Sequence, residues 1–203
     1  AKRKKLQAAL ESAVRCFQAG DLDAAATHCN TVLEAAPKES NALHVLGAVR
    51  LRQNDPKTAI RLLTQARAAE PGNAEIMINL GAAYRADDQA DKAAEILQDT
   101  VRRVPKNPSA RMNFGNALVA AGREPEAAQA YRQVLALVPG HIGAQTELAR
   151  TLDTIGDTDG ALAEYVKLDA LAPDNPQTLN AIGALHAAQN RLETAEEYFR
   201  RAL

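Results

Sequence analysis

The 203-residue sequence has no tryptophan, 3% aromatic residues and only two cysteines. A core built from large rings is therefore excluded, although 46% of the chain is hydrophobic. Alanine dominates that fraction. Small side chains let backbones approach closely, and alanine is the best helix former, so the composition predicts an all-α protein. Cys16 and Cys29 are too few for a disulfide scaffold, and their spacing suits neither a metal site nor a redox pair. Both fall on interior positions of the pattern below and read as buried, inert thiols in a reducing compartment.

Charge of one sign is also lacking. With 24 basic against 25 acidic residues, the chain carries no general attraction for nucleic acid or for a membrane surface. Its one like-charge run, Lys2-Arg3-Lys4-Lys5, reads as a solvated basic tail over residues 1–5. No apolar run approaches membrane-spanning length and no leader-type apolar segment is visible, which predicts a cytoplasmic protein without membrane insertion. The first residue is Ala, which leaves N-terminal processing open.

What the sequence has is a period. Pro37, Pro71, Pro105, Pro139 and Pro173 follow one another at intervals of 34 residues, without insertion or deletion. A fixed period of this size marks a repeat architecture. With each proline at position 32, the repeats are 6–39, 40–73, 74–107, 108–141, 142–175 and 176–203, the last one truncated, so 6–203 is expected to be one domain. Position 20 is always Ala (Ala25, Ala59, Ala93, Ala127, Ala161, Ala195). Position 8 is always Gly or Ala (Ala13, Gly47, Gly81, Gly115, Ala149, Gly183). These small columns mark where two helices cross. Position 7 is large and apolar in five of six repeats, Ser12 being the exception, and position 24 carries Cys29, Leu63, Leu97, Tyr131, Tyr165 and Phe199 as flanking knobs.

Turn chemistry completes a helical hairpin. Position 15 is Gly20, Asn54, Asp88, Gly122, Gly156 or Asn190, types that tolerate a left-handed backbone and end a helix. Asp21, Asp55 and Asp157 follow as N-caps for the second helix. Pro56 and Pro125 sit in that helix's first turn, and Asn107-Pro108 and Asn175-Pro176 read as a cap followed by a first-turn proline. Each unit is thus helix A over about positions 1–14 and helix B over about 18–31. One hairpin cannot bury its apolar face alone, so neighbours must stack.

The skeleton of small residues and prolines resembles the tetratricopeptide repeat family over essentially the whole chain after residue 5. The family's frequent Trp at position 4 is absent here, where Ala9, Leu43, Met77, Arg111, Gln145 and Leu179 stand. The resemblance implies a right-handed superhelical solenoid of six antiparallel helix-turn-helix repeats. It also implies a non-catalytic protein–protein interaction scaffold whose concave groove, formed by positions 2, 5, 6, 9, 12 and 13 of the A helices, takes a peptide or partner helix. The family's carboxylate clamp needs Lys at position 5 and at position 2. Position 5 reads Leu10, His44, Ile78, Met112, Thr146, Asn180, and position 2 has no Lys, so that clamp is absent.

The groove positions offer amides instead. Asn79 and Asn113 share position 6 of successive repeats, Asn116 follows Asn113 on the same face, and Asn180 recurs further on. Asn is poor inside a helix, yet it both donates to and accepts from a peptide backbone. This arrangement resembles the asparagine ladder with which some family members hold extended peptides; the competing reading is a structural bond between neighbouring helices. Ala48, Ala82 and Ala184 leave room for a guest or permit tight winding, and Met112 and Ile78 supply groove contact or core packing. Of the cations, Arg150 stands between Glu147 and Asp153 at i,i+3 spacing and is expected to be neutralised. Arg52 and Arg85 are expected to be freer, for an acidic group on a ligand.

Nothing assembles catalysis. The four histidines occupy four different repeat positions, and no HExxH, phosphate loop, dinucleotide fingerprint or nucleophile elbow occurs. No cofactor or metal is expected. Asp157-Thr158-Asp159-Gly160 looks like a calcium loop but lacks its terminal Glu, and a helix cap explains it. Around Leu192, Ala195, Phe199 and Leu203 the last repeat is expected to leave an apolar end face open, to be covered by further chain or by another copy in a homo-oligomer. Leu43-His44-Val45-Leu46-Gly47 looks like bacterial repeat modules fused to glycosyltransferase or sulfotransferase domains, so a recognition module of a larger enzyme is a third expectation.

Overall fold

Every hairpin turns on one left-handed residue. Gly20, Asn54, Asp88, Gly122, Gly156 and Asn190, all at position 15, have φ of 85°, 59°, 56°, 69°, 79° and 59°. This backbone stops helix A and redirects the chain into helix B. The computed structural model describes residues 2–203, which form twelve helices and no strand. The A helices are α1 (Lys2–Ala19), α3 (Ser40–Arg52), α5 (Ala74–Ala86), α7 (Pro108–Ala120), α9 (Ile142–Thr154) and α11 (Pro176–Ala188). The B helices are α2 (Leu22–Ala35), α4 (Pro56–Ala69), α6 (Ala90–Arg103), α8 (Glu124–Leu137), α10 (Thr158–Leu171) and α12 (Leu192–Arg201).

The capping residues do what their chemistry allows. Asp21, Asp55 and Asp157 accept from the backbone N–H groups of Ala24, Thr58 and Gly160, and Asn107 and Asn175 cap α7 and α11 ahead of first-turn prolines. His141 also caps α9, its Nδ1 accepting from Ala144 at 3.1 Å, a role its sequence position did not announce. The basic run is not a tail: α1 starts at Lys2, so Arg3, Lys4 and Lys5 stand in its first turn. Residue 1 lies outside the described residues.

Hairpins interlock through the small columns. A Cβ added at Gly47, Gly81, Gly115 or Gly183 would come within 2.7, 2.5, 2.5 or 2.7 Å of Leu63, Leu97, Tyr131 or Phe199. Each glycine at position 8 is thus the socket for the position 24 knob of its own repeat. Repeat one reverses the sizes, with Ala13 paired to the smaller Cys29, both fully buried. The polar residues at position 4 find partners on their own helix B. Gln145 is buried and donates to the Glu164 carbonyl at 3.1 Å, and Arg111 bonds Gln133.

The chain divides into two compact units, Ala1–Pro105 and Lys106–Leu203. In the first unit α2 packs on α3 and α4 on α5, and the A helices α1, α3 and α5 lie side by side. In the second, α8 packs on α9 and α10 on α11. Two matching latches join repeats: Gln53 donates to Asp23 at 3.0 Å, and Gln189 donates to Asp159 at 2.7 Å.

Candidate functional site

In the first unit the A helices bring His44 of α3 and Asn79 of α5 together. The Asn79 Nδ2 donates to His44 Nε2 at 2.7 Å, and both residues stay partly exposed. Burial holds the His44 imidazole below its ordinary pKa, while the carboxylates of Glu75 and Glu70 pull it upward. Ala48 and Ala82 stand one turn further along the same two faces. Asn79 thus bonds between neighbouring helices, and its partner is the histidine at position 5.

The cations of this unit differ from expectation. Arg52 is not free: its Nη1 donates to the Phe17 carbonyl at 3.1 Å, and its guanidinium lies 5.2 Å from the centre of the Phe17 ring. A repeat-to-repeat tie to α1 uses it up. Arg85 is exposed and has no side-chain partner among the described residues. Ile78 is buried at 5% exposure and belongs to the core rather than to the ligand-facing surface.

In the second unit the asparagines part company. Asn116 accepts from the Tyr131 hydroxyl at 2.8 Å, so its amide serves the α7–α8 hairpin. Asn113 bonds its own helix, Nδ2 donating to the Ser109 carbonyl at 2.9 Å, and Asn180 is exposed. The Met112 side chain reaches toward Gly143 of α9. Arg150 pairs with Glu147 at 3.2 Å while its side chain stays 60% exposed. It stands on the wall of a cleft of about 310 Å³ whose lining includes Ile142, Thr146, Tyr165, Leu168 and Gln177. Burial raises the Tyr165 phenol, helped by Asp153 and Glu147 and opposed by Arg150. Sequence reasoning missed this cleft because it forms where α9, α10 and the start of α11 meet. One signal was present: position 9 turns polar, as Asn116 and Arg150, in the two repeats whose position 24 is Tyr.

At the end of the second unit, Leu192 is 63% exposed, Phe199 38%, and Leu203 fully open. Ala195 does not belong with them. It is 3% exposed, because position 20 lies inside the α11–α12 crossing. Phe199 is half engaged there, its ring filling the socket at Gly183. Both cysteines are free thiols, Cys16 half-buried and Cys29 fully buried. Among the described residues no helix is long and apolar enough to cross a membrane, and no three metal-ligating side chains gather.

Stacked helical hairpins with small crossings, left-handed turns and a partly polar A-helix surface define a helical-repeat scaffold. A tetratricopeptide repeat model matches residues 50–113 and 118–185, and a second matches 177–203. The chain belongs to the tetratricopeptide repeat family, and family and fold together support a protein-interaction scaffold. No curated protein matches the sequence. Among solved structures, Pseudomonas aeruginosa pilF superposes with a TM-score of 0.82 at 19% identity, over 97% of this chain and 89% of that one. A MamA structure gives 0.72 at 24% identity, over 77% and 92%. A thermophilic TPR protein of Thermus thermophilus gives 0.70 at 23%, over 94% and 98%. At such identities the likeness establishes the fold alone.

Proposed function

We propose that this chain is a non-catalytic scaffold whose A-helix surface holds an extended peptide. The observation that carries the reading is the half-exposed Asn79–His44 pair bridging α3 and α5, with the small Ala48 and Ala82 beside it. Buried positions in these repeats are filled mostly by Ala, Leu, Ile, Val and Met, with Gln145 the one buried amide among the described residues. Amides and alanines on a half-exposed helix face add little to packing and offer hydrogen bonds and space to a guest. In the second unit Asn113, Asn180 and Gln177 extend the same chemistry, while Asn116 serves the fold.

The test is selection from an unbiased peptide display library on the whole chain, followed by affinity measurement on the Asn79→Ala/Asn113→Ala variant. Neither change opens the core, and loss of the Asn79–His44 bond costs about 1 kcal/mol, so the variant should stay folded with slightly lower melting while affinity for the selected peptides falls at least several-fold. Unchanged affinity in the folded variant would sink the reading.

A second reading has its own observation. The most exposed large apolar side chains, from Leu137 to Leu203, all lie in the second unit, with Leu192, Phe199 and Leu203 at its end. A second copy of the chain is the occupant proposed for that end. Light scattering over a concentration series should then show a dimer that Leu192→Glu disperses. Leu192 is the better probe, because Phe199 also fills the Gly183 socket. A constant mass near 21.7 kDa at every concentration would remove this reading.

A further inference from the structure

We propose that the last repeat carries a pH-sensitive latch, in which protonated His186 donates from Nδ1 to Gln189 Oε1 and so tightens the tie between α11 and α10. The proposal is independent of what the A-helix surface binds. It begins with two orphans. Among the described residues, the buried polar side-chain atoms without a partner are His186 Nδ1 and Gln189 Oε1. Both belong to the C-terminal end of α11, where residues three apart share a face. A buried polar atom that has lost water and gained no hydrogen bond costs stability, so two such atoms on one helix turn call for a physical account.

The matching place in the first unit shows what is missing. Only two repeats have Gln at position 14 with Asp at position 18 of the repeat before: Gln53 with Asp23, and Gln189 with Asp159. In the first case Arg50, at position 11, donates from Nη1 to Gln53 Oε1 at 2.8 Å, and Gln53 Nε2 donates to Asp23 Oδ1 at 3.0 Å. In the second case Gln189 Nε2 makes the same outer bond to Asp159 Oδ1 at 2.7 Å. The inner bond is absent, because position 11 is His186. Arginine always has an N–H to give, whereas a neutral imidazole has one N–H for two nitrogens. With that proton on Nε2, Nδ1 offers a lone pair to an oxygen that needs a donor.

Protonation supplies the second N–H. Nδ1–H then completes a chain from the imidazolium through the Gln189 amide to the Asp159 carboxylate, and each bond in such a chain polarises the next. The charged and titratable groups around the ring come from both packed neighbours. From α10 comes Asp159, which favours the cation. From α12 come Tyr198, whose ring stacks on the imidazole at 5.7 Å, and Arg201, which lies 5.4 Å from the centre of the Tyr198 ring. Arg201 opposes a second cation, but Asp169 and Asp174 hold it at 3.1 and 3.2 Å. Arg191 in the turn and Glu197 on α12 are exposed. Because only the folded chain makes the inner bond, its contribution is present at acid pH and is lost as the pH rises.

The test is amide hydrogen exchange on the whole isotope-labelled chain at about pH 8 and about pH 5.5, corrected for intrinsic exchange, with NMR of the His186 ring and the Gln189 side-chain amide. On acidification the Gln189 amide should shift together with the ring. Protection of the α11 amides, taken relative to His186→Leu, should rise about tenfold or more, the worth of a hydrogen bond from a charged donor. His186→Arg copies the Arg50 arrangement and should keep the added protection at both pH values. Gln189→Met removes the acceptor, so its ring should titrate with no gain in protection. Nδ1–H already present at the higher pH, equal protection at both pH values, or a gain that survives in Gln189→Met overturns the latch.

Discussion

Replacing Gly81 with alanine tests the interlock on which the fold depends. A methyl at this point would lie 2.5 Å from Leu97 Cγ, 2.6 Å from Cδ1 and 2.9 Å from Cδ2. Cγ is among the three close atoms, so turning χ2 alone cannot relieve the clash; α5 and α6 must part or Leu97 must change its χ1 rotamer. Overpacking of this kind costs about 1–3 kcal/mol. Removing a glycine from a helix interior returns roughly 0.5–1 kcal/mol. The expected net loss is about 0–2.5 kcal/mol, read as a lower urea midpoint by far-UV circular dichroism. Leu97→Ala alone should cost about 2–5 kcal/mol, since Leu97 is 1% exposed. In the double variant the alanine at 81 fills part of the space that the leucine vacated, so the loss should fall short of the sum by about 1–3 kcal/mol. Gly72→Ala is the control, because a Cβ there meets nothing within 4 Å. A stabilising Gly81→Ala, or strict additivity with Leu97→Ala, would refute the socket argument.

Other expectations follow from single side chains. Because His44 is held below its ordinary pKa, the unfolded chain binds its proton first; stability should be full above about pH 6.5, fall as the pH drops through the interval down to the folded pKa, and level off beneath it. His44→Gln should flatten that part of the stability–pH curve, and an unchanged slope would contradict the assignment. Arg52→Ala removes the bond to the Phe17 carbonyl and the ring contact, so amide exchange should quicken in α1 and not in α5; equal rates in both proteins would show that the tie does nothing. Cys29 is fully buried and its thiol is pushed up to about 11 by burial and by Glu39, so a thiol reagent should label Cys16 in the native chain and reach Cys29 only on unfolding. Equal labelling of both would refute the packed first hairpin.

The hairpin turns, the cap residues and the small-to-large interlock were legible because each depends on local chemistry. An Asp at a helix start has one job, and a glycine at position 8 of a 34-residue period has one reason. The ligand-facing surface was legible only as a set of positions. Asn79, Asn113 and Asn116 looked alike in sequence, yet one is held by His44, one bonds its own helix and one caps a tyrosine hydroxyl. Those partners come from helices 35 or 15 residues away, or from one turn back. Arg52 and Arg85 were likewise indistinguishable until Phe17 claimed the first.

By itself, then, the sequence determined that the protein is a stack of six helical hairpins, where each hairpin turns, and which columns lie inside. These follow from φ preferences, capping and side-chain volume, which act within a few residues or repeat at a fixed period. Only the tertiary structure decided that the chain divides into two compact units after Pro105, that Ala195 lies inside a crossing while Leu192 stands in solvent, and that His44 sets the orientation of the Asn79 amide. Each of those depends on which long-range neighbour supplies the last hydrogen bond or covers the last face. A period of 34 residues specifies the neighbour's position and leaves the pairing to side chains that differ from one repeat to the next.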